Sequence, residues 1–130
     1  MRPEPDEFEA MVQAAYEALP PTFRQMASDV VLRCPDLPGR DVLDELGIGD
    51  PYDLLGLYQG VDLTRKSLFD VSGEPDTVFL YRLPILRFWM TGPDSLEEVV
   101  THVLVHEIGH HFGLSDDDMY GLEDEAYDAE

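Results

Sequence analysis

The chain has 130 residues, enough for one domain with a real core and too few for a second of ordinary size. Hydrophobic residues make up 44% of it, which suits a globular chain better than a disordered one. Its 28 acidic against 8 basic side chains give a net charge of −20, which argues against direct contact with nucleic acid or with anionic membrane surfaces. Cys34 stands alone and cannot close an internal disulfide. The opening Met1-Arg2-Pro3-Glu4-Pro5-Asp6 lacks the basic start and apolar core of a signal peptide, and no run reaches the roughly 18 apolar residues of a membrane span. The expectation is a soluble cytoplasmic domain over residues 1–130, monomer or homodimer, with acidic ends at about 1–6 and 121–130 that fray.

Phe8, Met11, Val12, Ala15, Tyr16 and Leu19 follow helical spacing, and Pro20-Pro21 stops it. Asp29 to Cys34 holds a compact Val30-Val31-Leu32 run that reads as a short strand, with a turn at Pro38-Gly39. Asp41 to Leu46 reads as a brief helix ended by Gly47, and Leu54 to Leu63 as a second strand interrupted by Gly56 and Gly60. The polar stretch from Thr64 to Asp76 has the composition of an exposed connection or flap. Thr77 to Leu83 then reads as a strand, and Pro84 separates it from Ile85 to Met90. A proline cannot donate to a neighbouring strand, so this region is expected at a sheet edge, where it could guide a peptide.

The last long helix carries most of the information. Asp94 is its expected N-cap, with Glu97 three residues on, and Leu96, Val99, Val100, Val103, Leu104 and Ile108 form an apolar stripe predicted to be buried. The same helix carries His106-Glu107-Ile108-Gly109-His110. At about 100° per residue the two imidazoles lie roughly 40° apart and one turn from each other, so they can meet one ion. Glu107 falls about 60° beyond His110, near enough to reach a water held by that ion without displacing a ligand. Gly113 can take the left-handed conformation that ends the helix and returns Asp116 toward the histidines as a third ligand. Two histidines and one carboxylate leave a fourth position for water, the open arrangement of a catalytic zinc site. Ordinary residue frequencies give this full spacing by chance in about one chain of this size in tens of thousands or fewer.

His106, Glu107, His110, Gly113 and Asp116 spell H-E-x-x-H-x-x-G-x-x-D and resemble the zincins, in particular the Asp-zincins. Leu54-Leu55-Gly56-Leu57-Tyr58-Gln59-Gly60-Val61 and Val78-Phe79-Leu80-Tyr81-Arg82 are also similar to the minimal zincin-like family of small bacterial proteins. The resemblance implies an α+β fold: a small twisted sheet with an antiparallel edge strand, packed on an N-terminal helix and on the HExxH active-site helix. It also implies peptidase chemistry on a peptide or protein substrate. The chain departs from the larger metzincins, whose methionine turn lies well beyond the third ligand. Here only Met119 is near, so Met119, Tyr120 or Tyr127 is expected to cover the base of the site.

The mechanism expected from these residues uses one Zn2+ held by His106, His110 and Asp116. The ion lowers the pKa of its water from about 15.7 toward 7, and Glu107 takes that proton and hands it to the leaving amine. Asp117 or Asp118 could ligate in place of Asp116. His102, one turn before His106, could be an alternative ligand but reads more simply as a surface or packing residue, and His111 as a buried one. Tyr58 and Tyr81 read as packing residues, and Cys34 as a small buried hydrophobe. A different class of function fits the same charge: an acidic protein-binding module that keeps the metal-site geometry but hydrolyses little.

Overall fold

The computed structural model describes residues 3–60 and 76–113. Within them the chain forms α1 (Pro5–Glu17), α2 (Pro21–Met26), β1 (Val31–Arg33), α3 (Arg40–Leu46), one 3-10 turn (Pro51–Asp53), β2 (Gly56–Gln59), β3 (Thr77–Leu80), α4 (Arg82–Thr91) and α5 (Leu96–Phe112). Helices beside one small mixed sheet make this an α+β fold.

Proline starts both N-terminal helices. The first turn of a helix has backbone N–H groups without intrahelical partners, so the missing donor of Pro5 or Pro21 costs no hydrogen bond there. Pro21 thus ends the first helical pattern and also opens α2, a helix that the sequence pattern does not disclose. Phe8 and Val12 of α1 are buried, and Phe23 of α2 meets Phe112 of α5 edge to face with ring centroids 6.1 Å apart.

The sheet order is β1-β3-β2, with β1 parallel and β2 antiparallel to β3. Val78 and Leu80 of β3 are fully buried, while Thr77 and Phe79, which alternate with them, are only partly so, the alternation of a strand with one face on a core. The expectation of a peripheral strand around Pro84 is therefore corrected, because β3 is the middle strand of the three. The chain leaves the sheet at Tyr81 and turns into α4, where Pro84 occupies the third helical position. That position has no intrahelical acceptor, and Ile85 N–H makes the first bond, to Tyr81 O at 3.1 Å. Among the described residues, the open antiparallel edge belongs to β2.

Arg82 fastens the start of α4. Its Nε donates to Asp36 Oδ1 at 2.8 Å and its Nη1 to Pro3 O at 3.1 Å, tying the helix to the exit of β1 and to the N-terminal lead.

Helix α5 begins one residue later than the sequence suggests. Ser95, not Asp94, is the N-cap: Ser95 Oγ accepts from Glu98 N–H at 3.1 Å, and Ser95 N–H donates to Glu98 Oε1 at 3.2 Å. Asp94/Glu97 and Ser95/Glu98 are overlapping capping-box patterns, so sequence alone could not choose between them. The stripe of Leu96, Val99, Val100, Val103, Leu104 and Ile108 is buried as expected, and α5 packs against β2, β3, α1 and α4. Burial of a side chain such as Ile108 contributes about 1.5–3 kcal/mol, which makes α5 the spine of the fold.

Candidate metal centre

Helix α5 carries His106, Glu107 and His110 on consecutive turns near its C-terminal end. The helix stops at Gly113, whose φ of 65° and ψ of 30° are the left-handed values expected from its place in the motif. Asp116, the third expected ligand, lies outside the described residues, as do Asp117, Asp118, Met119, Tyr120 and Tyr127. Among the described residues no group of three His, Cys, Asp or Glu side chains converges as a metal cage. The described donors, two imidazoles one turn apart on one helix, suit a divalent ion of the zinc type.

The two histidines differ in setting. His106 is half-buried; its Nε2 is a buried atom that makes no hydrogen bond among the described residues, and its ring lies 4.1 Å from that of His102, centroid to centroid. His110 is more exposed, and its Nδ1 stands 3.4 Å from Glu107 Oε1.

Glu107 is the half-buried carboxylate of the site. Its side chain is 17% exposed, and burial pushes its carboxyl above the ordinary glutamate range. Three weaker influences oppose that shift: the charge of His110, a hydrogen bond from the Tyr58 backbone N–H, and the contact with His110 Nδ1.

Strand β2 provides the cover. Tyr81 N–H donates to Leu55 O, and Leu57 is registered with Phe79, so by antiparallel alternation Leu55, Leu57 and Gln59 turn their backbone groups toward β3. Gly56 and Tyr58 then present theirs to the open edge, where the Glu107 carboxylate meets the Tyr58 N–H. Gly56 makes this approach possible. A methyl group there would stand 2.6 Å from Val103 Cγ1 and 3.1 Å from Glu107 Cγ, so only glycine lets the strand lie this close to α5. Sequence reasoning took Gly56 as a weakness of the strand, whereas in the structure it is the point at which β2 lies against α5.

Comparison with family models matches the zincin-like metallopeptidase model over residues 27–126. The chain belongs to the zincin-like metallopeptidase family. Comparison with curated proteins gives no match. The stretch matched to the family runs through the sheet and α5 and leaves out α1, although α1 packs on α5. Zinc binding is a general property of the family, and the imidazole pair of α5 is consistent with it.

Around this centre, Tyr81, between β3 and α4, is buried and stacks on Phe79 with ring centroids 6.0 Å apart. Burial, and then the charges of Asp41 and Glu107, push its phenol above the usual range, so it stays protonated at neutral pH. His102, read from sequence as a surface or packing residue, is exposed and lies against His106. Cys34 is half-buried, its thiol pushed up to about 11 by burial and by Glu9, which makes it a poor nucleophile. Among the described residues no helix is long and apolar enough to cross a membrane.

Proposed function

We propose that the protein is a zinc-dependent peptide hydrolase of the cytoplasm in which His106, His110 and Asp116 hold the ion and Glu107 is the general base. The observation that supports this best is the setting of Glu107. It is a half-buried carboxylate set between two imidazoles one turn apart on α5, against the outer edge of β2. Zinc, when bound, supplies a Lewis acid that polarises water and the peptide carbonyl. A general base works best with a pKa near the operating pH, and burial moves Glu107 in that direction from the ordinary carboxylate range. Glu107 takes the proton of the attacking water and delivers it to the departing amine. An extended peptide adding as a further strand beside β2, the antiparallel strand at the end of the described sheet order, would hold the scissile bond beside α5.

The test is mass-spectrometric detection of cleavage in a mixed peptide library by zinc-supplemented wild type and Glu107→Gln. The proposal expects cleavage by wild type and a rate about a hundredfold lower or less in the variant. Equal cleavage by both, or none by either, overturns it. The second outcome would leave an acidic protein-binding module that keeps the geometry of a metal site.

A further inference from the structure

A cleft of about 430 Å³ lies between α5, the approach to β2 and α4. Its walls are apolar where Leu55, Val99, Val103 and Phe88 line it, and Phe88 is 50% exposed although it is a large hydrophobic residue. Its polar groups are Asp94, Glu98 and His102. Glu98 and His102 stand four residues apart on α5, so with His106 they form one row along the helix, and Asp94 lies just before its N-cap. The 4.1 Å spacing of the His102 and His106 rings joins this cleft to the candidate metal centre.

We propose that the cleft is a specificity subsite that takes a lysine or arginine side chain of the peptide substrate; this rests on the hydrolase reading above. A long basic side chain has an aliphatic stem that matches the apolar walls and a cationic head that matches Asp94 and Glu98. Glu98 already accepts from Ser95 N–H, but a carboxylate has several acceptor sites and can receive a substrate ammonium or guanidinium as well. The nearest basic residue on α4 does not cancel this charge. Arg87 is engaged by Asp50 at 3.7 Å and Asp53 at 3.4 Å, and its guanidinium lies over the Tyr52 ring, lining the neighbouring hollow. Glu98 stands two turns from His106, about 12 Å along the helix axis. An extended peptide advances about 3.3 Å per residue, so the selected side chain belongs about three to four positions from the scissile bond.

The experiment measures fluorescence anisotropy of labelled hexapeptide amides that differ at one position, carrying lysine, arginine, norleucine or glutamate. They are titrated with the full chain at about 0.15 M salt, where diffuse attraction to the net charge is screened beyond about 8 Å. Three proteins are compared: wild type, Asp94→Asn/Glu98→Gln, and Asp44→Asn/Glu45→Gln. The last removes the same charge from exposed positions on α3. Both double variants are nearly isosteric, and Glu98→Gln preserves the capping box.

The proposal expects lysine and arginine peptides to bind wild type about fivefold or more tighter than norleucine and glutamate peptides. That preference is lost in Asp94→Asn/Glu98→Gln and kept in Asp44→Asn/Glu45→Gln. Absence of a preference, its survival in the cleft variant, or an equal loss in both variants would overturn the subsite. Binding needs no turnover, so the two readings separate. Preference without any cleavage of the library refutes the hydrolase and leaves the subsite standing, and Glu107-dependent cleavage without preference refutes the subsite alone.

Discussion

Replacing Gly56 by alanine tests whether β2 really rests on α5 at the candidate centre. The backbone at Gly56 is not in the positive-φ region, so any effect comes from space alone. The added methyl meets Val103 Cγ1 at 2.6 Å, Glu107 Cγ at 3.1 Å and the carbonyl oxygen of Phe79 at 3.1 Å. Carbon atoms in contact prefer about 3.5–4.0 Å, so roughly 1 Å must be recovered at Val103. Val103 is buried and β-branched on a helix, with one strongly preferred rotamer, and the Phe79 oxygen belongs to the central strand. The strand edge must therefore lift. Overpacking of this kind costs about 1–3 kcal/mol. With a urea m-value of about 1–3 kcal/mol/M, the unfolding midpoint of Gly56→Ala should fall by about 1 M. Val103→Ala removes the colliding atom at a cost of its own of about 2 kcal/mol. The double variant should therefore be more stable than the sum of the single effects by about 1 kcal/mol. A Gly56→Ala midpoint unchanged from wild type, or strict additivity with Val103→Ala, would refute the contact.

Asp36→Asn should lower stability at neutral pH by no more than about 1 kcal/mol, because the Asp36 side chain is 53% exposed and the ion pair is screened. The Arg82 hydrogen bond holds the Asp36 carboxyl below its usual range, so its contribution is full above about pH 4 and is lost as pH falls through the lowered folded value. The gap between wild type and variant in urea melts should accordingly close in acid; a gap that widens below about pH 4 would contradict this. For Cys34, a thiol at about 11 against an ordinary 9.0 holds about a hundredfold less thiolate near pH 8. Iodoacetamide should therefore label the native protein about a hundredfold more slowly than the urea-unfolded chain, and equal rates would count against the buried setting.

The parts of the fold that could be read from the sequence are those set by local periodicity. The apolar stripe of α5, the left-handed end at Gly113 and the stop of α3 at Gly47 each follow from spacing or from a single residue's backbone freedom. The misread parts depend on tertiary choice. Pro84 suits a sheet edge and the first turn of a helix equally, and only the burial of β3 between two neighbours decides for the helix. Pro21 carries the same ambiguity between stopping and starting. At the candidate site, His106, Glu107 and His110 could be named from their spacing. The contributions of Gly56 and of the Tyr58 backbone could not, because they arise from a strand some fifty residues away that carries no reactive side chain of its own. The grouping of Asp94 and Glu98 beside His102 was likewise hidden, since its meaning comes from the apolar walls supplied by Leu55 and Phe88.

The most direct test of the central claim is the zinc content of the protein after purification without chelators and equilibration with zinc near neutral pH. Elemental analysis should find one equivalent on wild type and none on His106→Ala/His110→Ala, with both proteins folded by circular dichroism. No zinc on wild type, or an equivalent that persists in the double variant, would contradict the assignment of the metal to the α5 histidines.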